Sequence, residues 1–193
     1  DSSAYEEVKK QYYEREPVEW KMQCNRRYDE EQFENIRAIL GDEAPKDIAQ
    51  FQDLKYNDNT QLKYLVKKAK AYYEGKESNR LPEVDKAVIV EDKIKGYALN
   101  PNHPVGKDKA RVIDSVLGYN QENYQDFKKV LLNEIKHMPI SSTEVSKYGQ
   151  KFNIKAIVKG LKGRYMELET VWQIDNGKDY PRLITVVPSQ KEK

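Results

Sequence analysis

His103 stands between Pro101 and Pro104 in a turn-rich loop that runs into Gly106, Lys107, Lys109 and Arg111. An imidazole donates or accepts a proton near neutral pH. Beside a glycine turn and three cations at a helix start it suggests a phosphate site, to which the free N–H groups of the helix end would add. His103 is then the expected general acid or base, Lys109 would hold negative charge developing on the phosphoryl group, and Lys107 and Arg111 would contact substrate. Attack of a ribose 2′-hydroxyl on the adjacent phosphate is chemistry that such groups can run without a metal. The same residues also fit a loop histidine bonded to backbone beside a solvated lysine face.

Two further clusters lie far downstream. Thr170 and Trp172 alternate onto one side of a strand. If that side faces a cleft, Thr170 orients a phosphate oxygen and Trp172 stacks on a base; if it faces the core, Trp172 is a packing residue. Arg182, after Pro181 at the start of a last strand, is a second charge donor or a surface arginine. His137 follows a helix end, where a cation suits the dipole, and is expected to have no catalytic role. Cys24, remote in sequence from both histidines, is expected to be an inert thiol.

The elements that must position these groups follow from periodicity. In the first part, residues 4–15 read as a helix interrupted by Pro17. Asp29 is the expected N-cap of a helix 30–40, whose Phe33, Ile36 and Leu40 share a face and which Gly41 closes. A short helix is expected at 45–54. A lysine-rich one follows at 61–73, with Leu62, Leu65, Val66 and Ala69 inward; Lys63, Lys67, Lys68 and Lys70 form a wet face or a phosphate-tracking stripe. Residues 74–80 carry no apolar side chain, and a boundary is expected there. The division is 1–76 helical, 77–81 linker and 82–193 mixed. In the mixed part helices are expected at 92–99, at 107–117 closed by Gly118, and at 123–137. From Lys151 the period changes to two, giving strands at 151–159, 164–174 and 182–187. Helices first and strands later make the fold class α+β: a helical N-terminal extension, then a small domain with helices packed on one face of an antiparallel sheet.

Composition excludes several classes. Against 34 Lys and Arg stand 32 Asp and Glu, which rules out a histone-like polycation or an acidic tail. Residues 1–80 are net −2 and residues 81–193 net +4, so a polyanionic partner, if present, belongs to the second part. The hydrophobic share of 38% is low for a globular domain, and 14 tyrosines offset part of it. One cysteine excludes an intrachain disulfide and a cysteine-based zinc cluster. No run of about 18 apolar residues suggests a membrane span, and no signal peptide is visible at Asp1–Tyr5. The first residue is not Met, which points to a fragment or processed product. No Walker loop, dinucleotide fingerprint or serine nucleophile elbow is present.

The stretch from Lys93 to Asn100 (KIKGYALN), then His103-Pro104, Gly106, Lys109-Ala110-Arg111 and Leu117-Gly118, resembles an uncharacterised family of bacterial and phage C-terminal domains. Thr170-Val171-Trp172 and the run from Pro181 to Thr185 fit its closing strands. The resemblance covers roughly residues 82–188. Such domains end polymorphic toxins and phage head-morphogenesis proteins. The resemblance implies a fold like the barnase–EndoU–colicin–RelE ribonucleases, an RNA substrate (tRNA included), no metal or other cofactor, and an immunity protein as partner. Residues 51–57 are similar, more loosely, to the tail of Mu-F-type minor head proteins, which implies capsid or portal partners. The implied location is a phage virion, or secretion or injection, with action in the bacterial cytoplasm. The other function it implies is a non-catalytic head or ejection component whose C-terminal module binds nucleic acid or protein.

Overall fold

The computed structural model of the chain describes residues 3–8 and 17–190. Residues 3–8 are helical, and the rest of the helix expected at 4–15 lies outside the described residues. The chain divides into two compact units, 1–69 and 70–193.

The N-terminal unit is helical: α1 (Pro17–Cys24), α2 (Arg26–Leu40), α3 (Ile48–Asn57) and most of α4 (Asn59–Glu74). Phe33, Ile36 and Leu40 are buried as their spacing requires, and Phe33 packs on Phe51 with ring centroids 5.8 Å apart. The Asp47 carboxylate caps α3 by accepting from the Gln50 amide at 2.9 Å, while the Gln50 side chain accepts from Lys46 N–H at 2.6 Å.

Asp29 is not an N-cap. Helix α2 starts three residues earlier, and Asp29 sits inside it, buried. Its carboxylate accepts from Lys55 Nζ at 2.7 Å, Tyr56 Oη at 2.7 Å and Gln52 Nε2 at 3.0 Å. A buried charge needs such partners, and the capping alphabet does not distinguish a cap from a buried carboxylate. Burial pushes the Asp29 carboxyl up, but the hydrogen bonds from Lys55, Tyr56 and Gln52 outweigh it and hold the group below its ordinary value. Burial and the Asp29 hydrogen bond push the Tyr56 phenol up to about 12.

The lysine stripe on α4 is also broken. Lys68 is 0% exposed and pairs with Glu43, so it points inward with Leu65 and Ala69, while Val66 faces out. Gln61 takes the inward place expected for Leu62.

A depressed carboxyl has a calculable consequence. Stabilisation from Asp29 is complete above the unfolded-state value of about 4 and is lost as pH falls through the lower folded-state value. Asp29→Ala should cost about 1–3 kcal/mol at neutral pH, because Lys55, Tyr56 and Gln52 lose their shared buried acceptor, though Lys55 keeps Gln32 and Gln52 keeps Met22 O. It should also flatten the acid limb of denaturant midpoints below about pH 4; an unchanged acid limb contradicts this.

The C-terminal unit carries a four-stranded antiparallel meander: β1 (Ser142–Ser146), β2 (Gly149–Lys159), β3 (Tyr165–Asp175) and β4 (Arg182–Pro188), in the order β1-β2-β3-β4. β2 and β3 are in full register, with Phe152 opposite Trp172, Ile154 opposite Thr170 and Ala156 opposite Leu168. This apolar face meets α5 (Lys107–Leu117) and α6 (Tyr124–Ile135) through Ile113, Leu117, Phe127, Leu131 and Ile135, all buried. The fold is α+β. Gly118, at φ 80°, ends α5 in the left-handed conformation with its N–H on Asp114 O at 2.8 Å. At Gly160 a Cβ would lie 2.6 Å from Leu117 Cα, so only glycine lets the β2–β3 hairpin close onto the end of α5, where Leu161 N–H meets Leu117 O at 2.9 Å.

Strand β1 has no counterpart in the sequence reading. It is polar and exposed, and takes its form from backbone pairing to β2 rather than from an apolar alternation. The segment Asp92–Ala98 is a π-helix, marked by Leu99 N–H reaching back five residues to Ile94 O at 2.8 Å. Tyr72, in the last turn of α4, donates to Glu134 at 2.6 Å and stacks on the His137 ring. Asn79 O accepts from Ile140 N–H at 2.6 Å, and Leu81 is buried, so the segment 77–81 packs against the sheet unit.

Two features of β4 position the site. Val88 pairs with its free edge, Val88 N–H on Pro181 O at 2.9 Å and Leu183 N–H on Val88 O at 3.0 Å, and the π-helix packs beside it. A β-bulge then shifts the register: Val171 faces Thr185 and Trp172 faces Leu183, leaving Ile184 as the extra residue.

Candidate functional site

The loop 100–106 is built from its own side chains. Asn100 Oδ1 accepts from Asn102 N–H at 2.9 Å, and Asn100 Nδ2 donates to Gly96 O at 3.1 Å. His103 Nδ1 accepts from the amides of Val105 at 3.1 Å and Gly106 at 3.0 Å, and His103 O accepts from Lys107 N–H at 3.2 Å. Three amides leading into α5 are therefore taken up by His103, and the helix end does not present them to a phosphate as expected. With Nδ1 an acceptor, the neutral ring carries its proton on Nε2. The Tyr97 ring meets it edge-on, with centroids 4.5 Å apart.

His103 lines a cleft of about 290 Å³ together with Asp92, Lys93, Gly96, Tyr97, Ile184 and Thr185. Lys93 and Tyr97 come from the π-helix, and Ile184 and Thr185 from the bulge in β4. The walls thus hold an imidazole, an ammonium, a carboxylate and two hydroxyls, set close to a turn without a side chain at Gly96.

The other candidates lie elsewhere. Thr170 and Trp172 are both 0% exposed. The Trp172 indole N–H donates to Thr170 Oγ1 at 2.9 Å, and that hydroxyl donates to Ile154 O at 2.8 Å. This resolves the two readings of Trp172 in favour of packing: a buried indole needs one acceptor, and Thr170 is that acceptor. The ring has no face for a base, and the hydroxyl has its hydrogen already engaged. Arg182 clamps Asp175 with two nitrogens, at 2.6 and 3.2 Å. Its hydrogen bonds, with that of Gln173, hold the Asp175 carboxyl below its ordinary value, and Asp175 in turn raises the arginine. Arg182 thereby fixes the turn into β4. Lys107, Lys109 and Arg111 are exposed along α5; Arg111 reaches Asp108 at 3.9 Å and lines a different cleft, with Asn120 and Gln121.

Of the residues expected to act together, only His103 lies in the cleft, and Asp92, Lys93, Tyr97 and Thr185 join it. Lys93, Tyr97 and Thr185 fall inside the motif stretches that carry the family resemblance. What brings Thr185 to them is the bulge, which no turn residue or periodicity announces. Among the described residues, no group of three or more His, Cys, Asp and Glu side chains is placed to hold a metal ion, and no helix is long and apolar enough to cross a membrane.

A sequence profile for a domain of unknown function, DUF6883, matches residues 80–190. The chain belongs to that family. The DUF6883 match contains every residue of the His103 cleft. No curated protein matches the chain. One chain of a contact-dependent growth inhibition toxin–immunity protein complex from Klebsiella pneumoniae 342 is similar in structure, with a TM-score of 0.44 and 16% identity over 56% of this chain and 98% of that one.

Proposed function

We propose that the DUF6883 domain is an RNA-cleaving toxin domain whose reacting centre is the His103 cleft. The observation that carries this reading is the convergence at the bulge. Two motif stretches some 90 residues apart bring His103, Lys93, Tyr97, Asp92 and Thr185 around one concave site. The substrate is a phosphodiester flanked by a ribose 2′-hydroxyl. In the reaction the 2′-oxygen bonds to phosphorus, the P–O5′ bond breaks, and the products carry a 2′,3′-cyclic phosphate and a 5′-hydroxyl.

His103 acts through Nε2–H, donating to a phosphate oxygen as charge builds up; its Nδ1 lone pair is held by two amides. A proton shuttled by this ring would require both amides to let go of Nδ1. Lys93 adds positive charge, and the hydroxyls of Thr185 and Tyr97 supply further donors. The Asp92 carboxylate is the group in the wall able to take the 2′-hydroxyl proton, and the departing 5′-oxygen takes its proton from solvent water. The N-terminal unit, residues 1–69, is separable from this domain, tRNA is within its substrate class, and an immunity protein is its partner in the producing cell. Delivery is by a phage particle or a secretion system into the cytoplasm of a bacterium.

A second reading has an observation of its own. Thr170, Trp172 and Arg182 are all occupied structurally, as in a non-catalytic module of a phage head or ejection protein that binds nucleic acid at the same cleft. Incubating the full chain with total tRNA in EDTA separates the two. The toxin reading expects shortened RNA with 2′,3′-cyclic phosphate ends by mass spectrometry. Intact RNA that is nonetheless retained by the protein supports the binding module.

A further inference from the structure

The π-helix has a second cleft on its other side, of about 440 Å³, lined by Val90, Glu91, Asp92, Lys95, Gly96 and Gln121. It shares Asp92 and Gly96 with the His103 cleft, so the two are contiguous over that turn. We propose that this second cleft is a nucleobase subsite, holding the base of the nucleotide on the 5′-oxygen side of the scissile phosphate while the phosphate lies against His103. The proposal rests on the phosphodiester reading of the first cleft and extends it from one nucleotide to two.

At Gly96 the Asp92 carboxylate, which lines both clefts, lies where a side chain would begin. A Cβ built at this position would fall on the Asp92 carboxylate, meeting Oδ1 first and Cγ at 3.1 Å. Any side chain here must push the Asp92 carboxylate out of the place it takes in the wall of both clefts. π-helical geometry is uncommon and is found frequently at functional sites.

The chemistry of the second cleft suits a base rather than a phosphate. Val90, 55% exposed, offers apolar surface for a flat ring. The Gln121 side chain is fixed by its amide nitrogen, which donates to Lys95 O at 2.7 Å, leaving its oxygen to accept from a ring or exocyclic N–H. Glu91 and Asp92 add acceptors. The one cation, Lys95, lies 3.6 Å from Glu91 and over the Tyr124 ring at 5.2 Å. A site whose hydrogen-bonding groups mostly accept, beside an apolar platform, repels a phosphate and matches the donor edge of a base.

Calorimetry on the full chain tests this with two probes. One is adenosine 3′-monophosphate. The other is a dinucleoside monophosphate made uncleavable by a 2′-deoxy first sugar. The native chain should bind the dinucleotide roughly tenfold or more tightly than the mononucleotide, the gain expected of one seated base. That preference, taken as the ratio of the two dissociation constants, should fall by roughly tenfold in Gly96→Val. Gln121→Ala and Val90→Asp, both at surface positions, should lower the same ratio, and they keep the test sound if Gly96→Val does not fold. Equal affinity of the native chain for both probes overturns the base subsite alone, as does a ratio unchanged in both surface variants. Failure of both probes to bind overturns the phosphodiester reading beneath it, and the subsite with it.

Discussion

On the proposed ribonuclease reading, His103→Ala should slow RNA cleavage by about 10²–10³-fold, the loss typical of removing one preorganised donor from a developing oxyanion. The donor is Nε2–H, held in position because Nδ1 accepts from Val105 and Gly106. Alanine also releases those two amides, at a stability cost of about 1–2 kcal/mol. His103→Asn separates the two effects. Its side-chain oxygen is still able to cap the loop amides, but it presents no imidazole to the cleft. Its melting temperature should therefore stay near native while the rate falls as far as in alanine. Native cleavage rates in both variants, measured on one tRNA substrate, would remove His103 from the reaction.

Trp172→Ala should have the largest effect on stability in the C-terminal unit, about 3–5 kcal/mol, as expected for a large buried aromatic. Trp172 is fully buried, and its indole is the donor to Thr170, whose hydroxyl continues to Ile154 O. The truncation leaves a cavity beside an under-satisfied hydroxyl, and the chain should melt about 10 °C or more below native. Trp172→Phe keeps most of the packing, loses the N–H, and should cost about 1–2 kcal/mol. Once folded, it should cleave RNA within a few-fold of the native rate. A Trp172→Phe protein of native stability with selectively weakened RNA binding would instead place the ring against substrate.

Much of the architecture is legible in the residues, because it rests on burial. Ala110, Ile113 and Leu117 with Gly118 set α5 from first residue to last. The alternation Phe152, Ile154, Ala156, Val158 sets β2, and Leu168, Thr170, Trp172 sets β3. The elements that escape the reading are those formed without apolar contrast. β1 is a polar edge strand recruited by the backbone of β2. Lys68 and Asp29 are charged residues turned inward because Glu43 and Lys55 meet them there, and hydropathy places both at the surface.

The site is legible only in part for a different reason. The spacing of His103, Gly106 and Lys109 locates the loop, but it does not reveal that His103 takes up the amides at the start of α5. Thr170 and Trp172 share a strand face by period two, yet that period does not tell a cleft from a core. Thr185 enters the cleft because one residue of β4 is extra relative to β3, a tertiary accident of register. The motif stretches contain the residues that line the cleft, and backbone geometry decides which of their side chains meet there.

The most direct test is a comparison of cleavage rates for Thr185→Val and Lys109→Ala, using one RNA substrate in EDTA with both proteins shown to be folded. Thr185 lines the His103 cleft, and Lys109 is an exposed residue of α5 outside it. The expected result is a loss of at least about tenfold for Thr185→Val, as a hydroxyl donor leaves the wall, with Lys109→Ala within about twofold of native. A full-rate Thr185→Val beside an inactive Lys109→Ala would contradict the placement of the reacting centre between the π-helix and the bulge of β4.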